Sequence, residues 1–280
     1  MFKKLLIFFT FLVPIFSFAY EPFLTDDAGT TPKGKNQIDL YYVHIMEKSD
    51  PYGPIDVSNP GEEFISSASS AVLLPFAYYR GLTDNFELGA GTSYYGLPTG
   101  NYSPFANFAL SAKYRFYGDA ENGWAFALRP SFTFAHTISQ QEDGLGMAIP
   151  GFGLAAIGSY YADNYEVYMN FSYLHQPYNS NYPVGQGVEE LRTELYQLSV
   201  APVWKLSDKV RIGLDLGMVT NVVTADQNSY DYFVMPVITY SPVEDIDFAI
   251  SYLRVSRSLG DEFLQGPFTS TLKVGMSYHF

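Results

Sequence analysis

The sequence predicts an all-β protein: a transmembrane, antiparallel, up-and-down β-barrel of about 12 strands, with both the N- and C-termini periplasmic. Three observations predict it. First, the final segment, residues 271–280, alternates without a break. Leu272, Val274, Met276, Tyr278 and Phe280 fall on one face, and Thr271, Lys273, Gly275, Ser277 and His279 on the other. Ten alternating residues match the length of a tilted membrane strand. Second, 18% of the residues are aromatic, with 24 Tyr and 23 Phe, while only 16% are charged. That balance suits strands with one lipid face and one wet face, bounded by aromatic girdles at two interfaces. Third, tight and long connections alternate along the chain, which is the rim asymmetry of such barrels.

Residues 1–19 read as a cleaved signal peptide, with Lys3 and Lys4 before an apolar run and Ser17-Phe18-Ala19 at the cleavage site. Residues 20–35 form an N-terminal periplasmic segment, and 36–280 the outer-membrane barrel. The strands are expected at 36–45, 70–80, 86–95, 105–117, 123–137, 149–161, 165–176, 193–205, 209–221, 232–241, 246–256 and 268–280. Alternation is cleanest in three of them. In 123–137, Trp124, Phe126 and Leu128 oppose Ala125, Ala127 and Arg129. In 165–176, Tyr165, Val167, Met169, Phe171 and Tyr173 oppose Glu166, Tyr168, Asn170 and Ser172. In 209–221, Val210, Ile212, Leu214, Leu216 and Met218 oppose Arg211, Gly213, Asp215 and Gly217.

Turns rich in Gly, Asp and Asn at 81–85, 118–122, 162–164, 206–208 and 242–245 punctuate alternate hairpins. Longer connections lie at 46–69, 96–104, 138–148, 177–192, 222–231 and 259–267. An even strand count returns the last strand to the side where the first begins. Tyr278 and Phe280 then form a closing-strand signal that looks like the one outer-membrane proteins present to the barrel-assembly machinery.

Energy decides which face meets lipid. A one-residue slip would turn Arg211 and Asp215 outward, and a lipid-facing Arg near mid-membrane costs about 2–4 kcal/mol. The expected lumen-lining charges are Asp39, Glu87, Lys113, Arg115, Arg129, Glu166, Arg211, Asp215, Asp247 and Lys273, with His279 beside them. They read equally as a translocation path or as a salt-bridge network that rigidifies the interior. Lys113 and Arg115 suggest a locally positive end, and a channel calls for a continuous polar inner face. Twelve strands tilted about 40° give a backbone radius of roughly 12 Å, and a lumen of about 10 Å or less once side chains are counted.

The net charge is −13, and removing Lys3 and Lys4 from 16 basic residues leaves 14 against 29 acidic ones. That excludes nucleic acid as a natural partner. Acids crowd the expected outer loops, among them Glu62, Glu63, Glu189, Glu190 and Asp231. The chain has no Cys, so no disulfide, thiolate metal site or cysteine nucleophile is available. His44, His136, His175 and His279 show no metal-ligand spacing, and no metal or other cofactor is implied. A lipid hydrolase needs a Ser and a His in register on the lipid face. His136 follows Phe132 and Phe134, but Ser139 has the opposite parity. No enzyme is expected.

The segment 20–35 is too polar and too Pro/Gly-punctuated for a lipid-facing strand. It reads either as a flexible leader or as a segment folded into the periplasmic mouth, with Thr25, Asp26 and Asp27 at its centre. In the second reading Asp26 and Asp27 face basic residues such as Lys113, Arg115 or Arg211. Its string Glu21-Pro22-Phe23-Leu24-Thr25-Asp26-Asp27-Ala28-Gly29-Thr30, with Tyr79-Arg80-Gly81-Leu82-Thr83-Asp84-Asn85, resembles the bacterial outer-membrane transporter family labelled putative MetA-pathway of phenol degradation. The resemblance implies an outer-membrane barrel passing small solutes, aromatic or hydrophobic compounds among them, with no catalytic residues. The partners are then outer-membrane lipid, the assembly machinery and a small-molecule solute. The alternatives are a structural or adhesive barrel with a blocked lumen, and the lipid hydrolase.

Overall fold

The computed structural model describes residues 22–48, 71–96, 104–142, 146–182, 193–221, 229–256 and 268–280. The expected signal peptide lies outside them, as do most acids of the long loops, including Glu62, Glu63, Glu189 and Glu190. The strands are β1 (Asn36–Lys48), β2 (Ala71–Thr83), β3 (Phe86–Tyr95), β4 (Ala109–Tyr117), β5 (Gly123–Thr133), β6 (Gly151–Tyr161), β7 (Tyr165–His175), β8 (Glu194–Ser207), β9 (Val210–Asn221), β10 (Ser229–Val243), β11 (Ile246–Ser256) and β12 (Phe268–His279). Each pairs antiparallel with its neighbours in sequence, and β1 pairs with β12, so the sheet closes into a barrel. Closure leaves no free strand edge, which a spanning sheet requires.

The hairpins end in a shared device. β2, β4, β8 and β10 each carry a register shift just before a tight turn, at Gly81/Thr83, Arg115/Tyr117, Lys205/Ser207 and Tyr240/Val243. An extra residue there raises the local twist and re-aims the rim. It also carries β2, β8 and β10 two or three residues beyond the ends that alternation alone indicates. Other boundaries differ too: β1 runs on to Lys48 and β4 starts only at Ala109. β5 stops at Thr133, and the chain then forms the short helix α1 (Ile138–Glu142). β10 starts at Ser229, which moves Asp231 from the expected loop to a fully buried place on the inner face.

Outward residues form the membrane belt. Leu88, Leu110, Leu128, Leu154, Leu198, Ile238 and Ile250 are all exposed in its middle. Toward the tight-turn rim Trp124 stacks on Phe126 and meets Tyr160, and Tyr278 stacks on Phe280. Toward the other rim Phe132 contacts Phe134, and Phe152, Tyr173 and Tyr196 form a row. Trp124 and Phe134 are ten residues apart, so a tilt of about 40° separates the two girdles by about 25 Å, the height of an outer-membrane apolar band.

Inside, large rings are seated over glycines on the next strand. Tyr41 faces Gly275, where an added Cβ would lie 2.1 Å from the ring and 2.6 Å from the Leu40 carbonyl oxygen. Phe233 faces Gly217 in the same way.

Two substitutions test this wall. Leu128→Arg, on the lipid face, should destabilise the barrel by about 2–4 kcal/mol in urea titrations of folding into lipid vesicles; an unchanged midpoint would place Leu128 away from lipid. Gly275→Val should cost about 1–3 kcal/mol by overpacking the β1–β12 seam, read as a lower melting temperature.

Candidate functional site

The candidate functional site is the lumen, and the residues before β1 organise it. The segment 22–35 enters at the tight-turn rim and crosses the interior. At the rim, Gly34 takes a positive φ of 80° and donates its amide to the Gly81 carbonyl. Gly81 has to be glycine here, because a Cβ would sit 2.1 Å from the Pro32 carbonyl oxygen. Thr30 Oγ1 donates to the Asp84 carbonyl, and the Thr31 amide to Glu87 Oε2 at 2.6 Å. Further in, the Ala28 amide donates to Ser159 Oγ at 2.8 Å. On the far wall Asp215 accepts the Leu24 amide, the Thr25 amide and Thr25 Oγ1 at 2.6, 2.8 and 2.6 Å. The Phe23 ring lies over Gly213, and its edge meets Tyr168. Thr25, Asp26, Asp27, Ala28, Thr30 and Thr31 are all buried. The segment is a crossbar that fills the tight-turn half of the lumen.

Its centre is an ion cluster. Asp26 Oδ1 is 2.9 Å from Lys113 Nζ, and Asp26 Oδ2 is 2.9 Å from an Arg129 nitrogen. Lys113 also lies 3.6 Å from Glu87 and donates to the carbonyls of Asp27 and Gly29. The side chain of Asn170, oriented with its nitrogen toward the Asp26 carbonyl, clamps the Asp26 backbone at 2.9 and 2.6 Å. Asp27 accepts the Gly29 amide, and burial, with Asp26 nearby, pushes its carboxyl up to about 7 against the pull of Lys113.

The other inward charges are spoken for locally. Glu166 pairs with Lys205 at 2.8 Å, lies 3.8 Å from Arg211, and accepts the Tyr168 hydroxyl. Asp247 meets His279 at 2.9 Å and accepts the Ser241 hydroxyl. Gln37 donates to both oxygens of Asp39, and Arg115 donates to the Asp84 carbonyl. Of the basic residues expected to face Asp26, Lys113 does so, and Arg129 joins it, while Arg115 lies on the Asp84 carbonyl and Arg211 beside Glu166. The expected positive end at Lys113 and Arg115 is offset by Asp26, Glu87 and the rim carbonyls.

The long-loop half of the lumen differs in kind, and here the inner face is not continuously polar. Val43, Ile45, Leu73, Tyr95, Leu195, Val219, Leu253 and Val255 all point inward and are buried. On β11 the inward series runs Asp247, Ala249, Ser251, Leu253, Val255. Polar at one end and apolar at the other, it defeats a reading that assigns one polarity to a whole face. Between this apolar collar and the crossbar is a cavity of about 300 Å³. The crossbar's Phe23, Leu24 and Asp26 close its floor, Tyr41, Val43 and Leu195 form its wall, and Ser131, Gln197, Arg129 and Lys273 border it.

The long connections tie down over this half. Gln141 donates to the Asn179 and Tyr182 carbonyls and accepts the Asn179 amide. Asn107 donates to the Phe134 and Met147 carbonyls. His136 lies in this loop, where its Nδ1 accepts the Thr137 amide and burial lowers its pKa. Ser139 is on α1, and no hydrogen bond joins the two among the described residues. No cluster of three or more metal-ligand side chains occurs among the described residues. Parity reveals most of the inward set, but Ser159, Lys205, Asn170 and Gln37 acquire their roles only from what the crossbar and the neighbouring strands bring to them.

No protein family matches the chain, and no curated protein sequence does. Solved structures do match. A COG4313 outer membrane channel from Pseudomonas putida F1 aligns over 91% of this chain and 98% of its own at a TM-score of 0.59 and 13% identity. The NanC porin aligns over 86% and 98% at 0.55 and 9%. The KdgM porin in complex with disordered oligogalacturonate aligns over 87% and 99% at 0.55 and 11%. The chain shares the outer-membrane porin fold.

Lys113→Met should destabilise the barrel by about 3–5 kcal/mol, because Glu87 would stay buried without its cation and Asp26 would keep only Arg129. Adding Asp26→Asn should recover part of that loss. Thermal unfolding of the single and double variants reads this coupling; additive losses would dissolve the cluster.

Proposed function

We propose that this chain is a bacterial outer-membrane channel for small solutes of apolar or aromatic character, closed at rest by its own N-terminal segment. One observation carries the reading: a cavity with a mixed apolar and polar lining lies directly above a crossbar that is held in the lumen by hydrogen bonds, ion pairs and side-chain packing, with no covalent cross-link. A packed core has no use for such a cavity. A crossbar without covalent tethers can undock, since each of its neutral hydrogen bonds contributes only about 0.5–1.5 kcal/mol net. The tight-turn rim, where both termini lie, faces the periplasm in this reading, and the long loops face outward. The lining of Phe23, Leu24, Tyr41, Val43 and Leu195 supports an apolar solute, in keeping with the resemblance to the phenol-degradation transporter family. A general diffusion pore is disfavoured by a lumen that the crossbar fills on one side.

The same filling favours a second reading, a structural barrel whose lumen never opens. Planar-bilayer conductance separates the two. Deleting residues 20–32 behind an intact leader should raise single-channel conductance several-fold. A deletion variant that folds and conducts no more than the full chain supports the structural barrel instead.

The crossbar should also respond to pH. Asp27 ionises near 7 when docked and near its ordinary 3.8 when free. The docked state therefore binds the proton more tightly, and docking weakens as pH rises from about 4 to 7 and then levels off. Conductance should climb between about pH 4 and 7 and then level off, and Asp27→Asn should flatten the curve.

A further inference from the structure

The charged groups around the cavity are unequally exposed. Asp26, Asp39, Arg129 and Lys273 border it. Asp26, Asp39 and Lys273 are buried, each under a tenth exposed. The Arg129 side chain retains 28% exposure. It projects from the inner face of β5, beside inward Ala127 and Ser131, so that exposure is to the lumen. A molecule in the cavity therefore meets apolar side chains, hydroxyl and amide groups such as those of Ser93, Ser131, Ser172 and Gln197, and, as the most exposed of the four charged side chains that border it, the Arg129 guanidinium.

We propose that the cavity takes a small amphipathic monoanion, an apolar or aromatic body with a single carboxylate, and that Arg129 receives the carboxylate. The proposal rests on the channel reading and adds the chemical class of its solute. A planar guanidinium suits a carboxylate, which it can meet with two parallel hydrogen bonds. The volume is at the small end of ordinary ligand pockets, enough for one ring with a short acid arm. The net charge of −13 does not oppose this at close range. Acids at the outer rim are screened over about 8 Å in physiological salt, whereas Arg129 touches the bound head group.

Arg129 is also the residue that holds the crossbar through Asp26 Oδ2. A solute carboxylate on this guanidinium competes with Asp26 and leaves the crossbar with Lys113 as the partner of its central acid. Binding and docking are then linked, and linkage is reciprocal: weakening the Asp26 contact must strengthen solute binding.

Isothermal titration of the full processed protein in detergent, with sodium benzoate and with benzyl alcohol at pH 7.5, tests this. Wild type should bind benzoate more tightly than benzyl alcohol. Arg129→Gln should weaken benzoate at least tenfold and leave benzyl alcohol within twofold. Arg129→Lys should retain much of the benzoate affinity, and Asp26→Asn should raise it several-fold. If Arg129→Gln alone does not fold, the double variant Asp26→Asn/Arg129→Gln removes both members of the pair and carries the same comparison against Asp26→Asn. Benzyl alcohol binding together with benzoate binding that ignores Arg129 overturns the head-group assignment and leaves the cavity reading standing. Failure of both compounds to bind wild type overturns the cavity reading, and the assignment with it.

Discussion

A lysine ammonium cannot stay charged inside a barrel wall without carboxylates to meet it, and most of this structure follows from how Lys113 is satisfied. Glu87 on the adjoining strand supplies part of the compensation. The rest comes from outside the wall, from Asp26 and from the carbonyls of Asp27 and Gly29. The sheet is thus closed by β1 and β12, but its interior is completed only when the preceding segment folds back into it. Asp215 repeats the arrangement on the far side, as an inward carboxylate whose partners are the backbone and hydroxyl of Thr25 and the amide of Leu24. Two walls with unmet charge, opposite each other, define a berth that one polar segment fits.

The berth divides the lumen. On the tight-turn side the interior is ionic and filled, with Glu166, Lys205 and Arg211 knitted across β7, β8 and β9. On the long-loop side it is richer in apolar side chains and holds the cavity. In the proposed channel a transport path meets two resistances of different chemistry. The one on the long-loop side is a collar of apolar side chains, under loops pinned by Gln141 and Asn107. The one on the tight-turn side is the crossbar, held by hydrogen bonds, ion pairs and packing. Arg129 belongs to both, because it anchors the crossbar from above and borders the cavity from below.

The wall is largely legible in the sequence because its period is two and its penalty is steep. Arg211 and Asp215 on one parity and Leu214 and Leu216 on the other leave one acceptable register, and every strand from β1 to β12 can be found that way. The ends are less legible. The bulges at Gly81/Thr83 and Lys205/Ser207 add a residue that alternation cannot count, and Asp231 is hidden by its position beside a long loop. Within the site, the polarity of Asp26 and Asp27 points toward a basic partner, yet parity cannot choose among Lys113, Arg115, Arg129 and Arg211. That choice depends on height along the barrel and on which cation the rim carbonyls already occupy. The apolar collar is invisible for a related reason: Leu253 and Val255 continue the inward face of a strand whose other end is Asp247, so no strand-wide average reports it.

The central claim is that residues 22–35 dock across the lumen, and a chain without cysteines offers a direct measurement. Ala28→Cys with Ser159→Cys places two thiols where the Ala28 amide meets the Ser159 hydroxyl. Mild oxidation in native outer membranes should join them within the monomer and hold conductance at its resting level until a reductant is added. Two thiols that stay unjoined, and that both react freely with a water-soluble maleimide, would show that the segment lives outside the barrel.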